Sequence, residues 1–217
     1  MLIVEDLALL LMDDESGTPA AAGTLYYAVG GAVLVELALE GLVEVEGGKV
    51  VTAGGGPPED PLLRFGYEKV AEKPRSVDSV LLRVGADAWD RVVGRLVERG
   101  FVRREEKRVL GLFRVTTLPA EDTRHEEEVR ALVRAVLVDG ETPDSRTAAL
   151  TALLSASGAL PALRPPLAWS GEVYRRAKEL ERGNWGAEAV STAVTRTAAA
   201  IAASSAAATA AVVTTVT

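Results

Sequence analysis

The chain of 217 residues has no cysteine, a single histidine (His125), and few aromatics: three Trp, four Tyr and three Phe. Without cysteine there is no disulfide framework, no thiolate nucleophile and no zinc site built on Cys ligands. A lone histidine also excludes the two-His motif of zinc proteases and every three-His metal centre. Hydrophobic residues make up 48% of the sequence although aromatics reach only 5%, so the core has to be built from Leu, Val and Ala. There is no excess of positive charge. Lys and Arg total 24 against 31 Asp and Glu, a net charge of -7. That balance argues against a general nucleic-acid binder but leaves room for a local basic patch. The opening stretch, MLIVEDLALLLMDDESG, lacks a basic leader and carries Glu5 and Asp6, so no secretory signal is expected. The length fits one large domain or two small ones, and a soluble, intracellular, one-domain protein is expected.

What is present is mostly helical in pattern. Residues 2–12 suit a short helix, and Asp13-Asp14-Glu15-Ser16-Gly17 supplies a solvated acidic turn. Residues 24–40 are apolar enough for a central buried helix ending at Gly41, with Leu25, Val29, Val33 and Leu37 inside. Gly30 and Gly31 oppose that helix by about 1 kcal/mol each unless close packing needs them. LVEVEGGKVVTA reads as a hairpin, with strands at 42–46 and 49–52 around Gly47-Gly48. Helices are expected at 60–72, 76–84 and 86–99, then a second hairpin over 102–115 around a charged turn. Further helices follow at 122–138, 144–157, 161–168 and 170–182, and an Ala-rich one begins near 186. From Thr197 to Thr217 there is no charge, and the length approaches the ~20 residues of a membrane span. The segment is nevertheless Ala, Ser and Thr rather than Leu and Ile, so a packed helix fraying into a disordered tail is expected. The expected architecture is mainly α: one globular helical domain, with a central apolar helix and one or two β-hairpins. The domain covers 1–203 and the tail 204–217.

Catalytic signatures are missing. Gly54–Gly56 is not followed by the Lys-Ser/Thr of a phosphate loop, and Gly30-Gly31 does not complete a dinucleotide fingerprint. Asp13-Asp14-Glu15 lacks the alternating ligands of a calcium loop. His125 reads as an exposed residue at a helix start, and Glu36 as a polar-edge position or a structural hydrogen-bonding group in preference to a functional buried acid. No enzyme activity, cofactor or metal is expected.

One constellation stands out. Arg91, Arg95 and Arg99 recur every fourth residue and share one helix face. Between Arg103 and Arg114 lie five basic residues (Arg103, Arg104, Lys107, Arg108, Arg114) against Glu105 and Glu106, a local +3 in a chain of -7. At its centre is the apolar run Val109-Leu110-Gly111-Leu112-Phe113. Basic groups beside apolar ones suit an anionic membrane surface, each cation contributing ~1 kcal/mol and inserted Leu or Phe adding transfer energy. The plainer alternative is a hairpin packed on its own domain with solvated charges.

Taken together, LIVEDLALLLMDDESG (2–17), GGAVLVELALEG (30–41), GRLVERGFV (94–102), VLGLFRVTTLP (109–119), TPDSRTAALTALLSASGAL (142–160) and YRRAKEL (174–180) resemble the Golgi phosphoprotein 3 family, in a short bacterial-type version. The resemblance implies a helical domain docking peripherally on membranes, phosphatidylinositol 4-phosphate binding, and a hairpin inserted into the bilayer, which aligns onto Glu105–Thr116. The Trp and three Arg that hold the phosphate in eukaryotic members would fall on Ala21, Gly30, Ala86 and Trp89, and none keeps its family residue. The candidate lipid-binding residues are therefore Trp89, Arg91, Arg95, Lys107, Arg108, Val109, Leu110, Leu112, Phe113 and Arg114. The expected partners are anionic lipid headgroups at the inner, cytoplasmic face of a membrane, and no nucleic acid. A soluble adaptor using the same hairpin on an acidic protein is the rival expectation.

Overall fold

A computed structural model describes residues 1–20, 22–109, 113–185 and 192–216. The order is α1 (Ile3–Leu11), α2 (Leu25–Leu39), β1 (Val43–Glu46), β2 (Lys49–Thr52), α3 (Pro61–Ala71), β3 (Arg75–Ser76), α4 (Val77–Glu98), β4 (Glu105–Val109), β5 (Phe113–Thr117), α5 (Arg124–Arg134), α6 (Ser145–Ala156), α7 (Gly171–Glu181) and α8 (Thr192–Val216). The molecule is mainly helical, as its sequence pattern requires. The chain widens α5 into a π-turn at Ala135–Asp139 and adds a 3-10 turn at Leu160–Ala162.

α2 is the centre. Apart from Glu36 it is apolar on every side, and it is buried from Ala28 to Ala38, with Leu25, Val29, Val33 and Leu37 all inside. A helix of that kind needs neighbours all round. α4 crosses one side and α6 and α8 cover the other. Two glycines set the first crossing. A Cβ on Gly30 would stand 2.1 Å from the Leu81 carbonyl oxygen, and one on Gly85 would stand 1.7 Å from that of Tyr26. The propensity cost of Gly30 is thus offset by the backbone approach it permits. Gly85 also explains a departure from the sequence expectation: the helices at 76–84 and 86–99 are one continuous α4, because the glycine serves the crossing instead of breaking the helix.

Side chains cap the starts of α3, α6 and α7. Asp60 accepts from the amides of Leu62 and Leu63, ahead of Pro61 in the first turn of α3, and Asp144 accepts from Thr147 N at 2.7 Å. The first hairpin pairs Val43 with Thr52 and Glu46 with Lys49, then gains a short third strand, with Lys49 opposite Ser76 and Val50 opposite Arg75. The C-terminal expectation is corrected. α8 stays helical to Val216 where fraying was expected beyond 203. Ser205 is buried and donates to Ile201 O at 3.1 Å, and Thr209 donates to Ser205 O at 2.9 Å. These hydroxyls find acceptors on their own helix, and Ala supplies the propensity.

Candidate lipid-binding site

After α4 the chain reverses at Gly100, and a bridge between Val102 and Ala120 opens the second ribbon. Its base is tied to the turn after α1: Leu118 N donates to Ser16 O at 3.1 Å and Ala120 N to Asp14 O at 2.8 Å. Gly17, at φ 70°, sits where a Cβ would lie 2.4 Å from the Leu118 Cβ, so the ribbon's root needs glycine there. Beyond the base, β4 and β5 pair with each other, and no helix packs broadly along them among the described residues.

The register is Glu105 with Thr117, Glu106 with Thr116, Lys107 with Val115, Arg108 with Arg114, and Val109 with Phe113. The charged residues therefore lie in a strand, not in the turn that the sequence suggested, because the reversal falls after Val109. Leu110 and Leu112, expected at the inserted tip, lie outside the described residues. Closer to the base, Arg103 Nε donates to Glu105 Oε1 at 2.7 Å.

The arginine row on α4 has a different occupation. Arg95 Nε donates to Glu5 Oε1 at 2.9 Å and its Nη1 reaches Asp60 Oδ2 at 3.0 Å; Arg99 Nη1 reaches Glu5 Oε2 at 3.0 Å. Arg91 lies over the Phe65 ring at 4.6 Å. Glu5 is fully buried. Burial pushes its carboxyl up, but the Leu2 amide and the charges of Arg95 and Arg99 outweigh that and hold it below the usual carboxylate range. Arg95, proposed from sequence as a lipid contact, is thus the counter-ion of an internal acid. Trp89 is half-buried against the core.

The positions that the resemblance assigns to phosphate recognition do not assemble a cationic pocket. Gly30 is buried in the helix crossing and has no room for any side chain, Ala86 is exposed, and Ala21 lies outside the described residues.

A second internal cluster escaped the sequence reading. Asp6 accepts from His125 Nε2 at 2.8 Å and from Arg146 Nη2 at 3.2 Å. Arg146 also reaches Glu36 Oε1 at 2.6 Å, and Glu36 accepts from the Ile3 amide. His125 is therefore half-buried and paired instead of exposed, and of the two places expected for Glu36 the structure shows the hydrogen-bonded one, buried instead of at a polar edge. The available signal was Glu5-Asp6 inside an otherwise apolar helix: two buried carboxylates demand cations.

Among the described residues no helix is long and apolar enough to cross a membrane, and no group of His, Asp and Glu is arranged to hold a metal ion. In a comparison with protein families, the model described as Golgi phosphoprotein 3 (GPP34) matches residues 3–197. A comparison with curated proteins returned no match.

Proposed function

The chain belongs to the Golgi phosphoprotein 3 family, and on that basis we propose that it is a peripheral membrane-binding protein that docks on anionic lipid headgroups through the β4–β5 ribbon. The observation that carries this reading is the ribbon's register. Arg108 stands directly opposite Arg114 on a two-stranded element along which no helix packs broadly among the described residues. Like charges directly opposite each other disfavour strand pairing, and an anionic surface relieves that repulsion. Val109 is the register partner of Phe113, so the strand ends next to the tip carry apolar residue types suited to the acyl boundary. The docking face is cytoplasmic in this reading, and the protein binds without catalysing a step.

Phosphatidylinositol 4-phosphate selectivity is not part of the proposal. Bidentate phosphate recognition needs guanidinium groups, and Gly30, Ala86 and Trp89 provide none. The test is co-sedimentation with phosphatidylcholine vesicles carrying increasing phosphatidylserine. Pelleting should rise with anionic content, fall with salt, and show no preference for phosphatidylinositol 4-phosphate over an equally charged phosphoinositide. A chain that stays in the supernatant at every composition refutes membrane docking and favours the adaptor.

A further inference from the structure

A cavity of 660 Å³ opens between the turn after α1, the first turns of α5 and the loop that follows the 3-10 turn. That volume is in the range of small-molecule sites. Its floor is apolar, formed by Leu10, Leu11 and Met12. Charges of both signs line the rest. Asp13, Asp14 and Glu15 are exposed along one lip, and Glu126, Arg130 and Arg164 come from the opposite side.

The two arginines are under-used. A guanidinium carries five N–H donors. Arg130 gives Nη2 to Glu126 Oε1, while its Nε is buried without a partner. Arg164 is exposed and lies near enough to Asp13 to be felt electrostatically, with no hydrogen bond to a described residue. On the lip, Asp13 is engaged by the Ser16 hydroxyl and amide, leaving Asp14 and Glu15 to face the opening.

We propose that this cavity binds a zwitterionic phosphate ester of the phosphoethanolamine type, its oxyanion held by Arg130 and Arg164 and its ammonium by the acids of the 13–15 turn. A simple anion would meet the carboxyl groups of Asp13, Asp14, Glu15 and Glu126 here, and a simple cation two guanidinium groups. One molecule with both charges satisfies both walls, and its short hydrocarbon linker suits the apolar floor. The ester is either free or the headgroup of phosphatidylethanolamine. The same turn anchors the ribbon through Ser16 O and Asp14 O, so the cavity lies beside the ribbon's root. The lipid source therefore rests on the membrane reading, whereas the site itself does not.

The test is calorimetric titration of the full chain with phosphoethanolamine, with inorganic phosphate and ethanolamine as separate controls. The expected result is saturable binding that is at least about tenfold weaker for either fragment. Arg164→Gln and Asp14→Asn change exposed side chains, and each should weaken the ester by about tenfold with the circular dichroism unchanged. Absence of binding at millimolar ester, equal binding of inorganic phosphate, or indifference to both variants overturns the proposal. Vesicles of phosphatidylcholine with and without phosphatidylethanolamine then separate the sources. Pelleting that needs both phosphatidylethanolamine and Arg164 assigns the lipid, and ester binding without it assigns the free molecule. Failure to pellet on any vesicle, with ester binding intact, counts against membrane docking alone.

Discussion

Glu5 and Glu126 are both buried acids on helices, yet their surroundings push them in opposite directions. Glu5 is held below the usual carboxylate range by the Leu2 amide, Arg95 and Arg99 against the effect of burial. Its contribution to stability is present above the unfolded-state value of 4.5 and is lost as pH falls through the lower folded value. Glu126 is raised to about 7, first by burial and then, against the pull of Arg130, by Asp14 and Glu127. For a raised carboxyl the sign reverses: its stabilising protonation is complete below 4.5 and is lost as pH rises through about 7. Glu126→Gln should therefore flatten the part of the stability profile between pH 5 and 7, as read by urea melts across that range. Glu5→Gln should lower stability by about 3–5 kcal/mol near neutrality, because two guanidinium groups lose their buried partner. Arg91→Ser removes only a contact with the Phe65 ring and should cost about 0.5–1 kcal/mol in the same melt. Spacing put Arg91, Arg95 and Arg99 on one face in the sequence, but it carries no information about what lies opposite. The acid that engages Arg95 and Arg99 is some ninety positions away.

Elements whose pattern is local were legible, and those defined by a distant partner were not. The apolar run of α2 and the Gly-Gly hairpin fix their own geometry. The continuity of α4, the third strand at Arg75–Ser76 and the length of α8 depend on what packs against each. Gly85 shows why. As a sequence feature it is a helix breaker, and only the passage of Tyr26 O over it makes it a helical residue. Gly85→Ala should destabilise the fold by about 1–3 kcal/mol or more, since α2 and α4 must move apart. Gly94 lies in the same helix with nothing near a would-be Cβ. Gly94→Ala should stabilise by about 0.5–1 kcal/mol. Opposite signs for two Gly→Ala changes in one helix, measured by thermal melting, would separate packing from propensity. The basic hairpin was legible as a candidate because charge and apolarity coincide there. Its register was not, since a turn position depends on which residues pair, and the charged segment proved to be a strand.

At the scale of the whole molecule, the ribbon and the body carry opposite charge. The chain totals -7 and the segment 103–114 is +3, so the remainder is -7 - 3 = -10. An anionic surface therefore repels the body while attracting the ribbon, and it orients the protein before any side chain touches lipid. The attraction acts over roughly 10 Å at 0.1 M salt and about 3 Å at 1 M, so salt should weaken capture steeply. Apolar contact at the tip responds differently. Leu112 and Phe113 can each contribute about 1.5–3 kcal/mol when fully transferred, a term that salt does not screen. Two double variants distinguish the contributions. Arg108→Ser with Arg114→Ser should lower vesicle binding at low salt and remove most of its salt dependence. Leu112→Ser with Phe113→Ser should lower binding by a larger factor at every salt concentration and leave the slope intact. The described partners of Glu5 and Asp6 are Arg95, Arg99, His125 and Arg146, so circular dichroism and melting temperature should stay at wild-type values in both double variants. Arg95→Ser, by contrast, should lower the melting temperature first, because its charge is committed to Glu5. If the Leu112 and Phe113 pair has no effect while the arginine pair abolishes binding, docking is electrostatic adsorption without insertion.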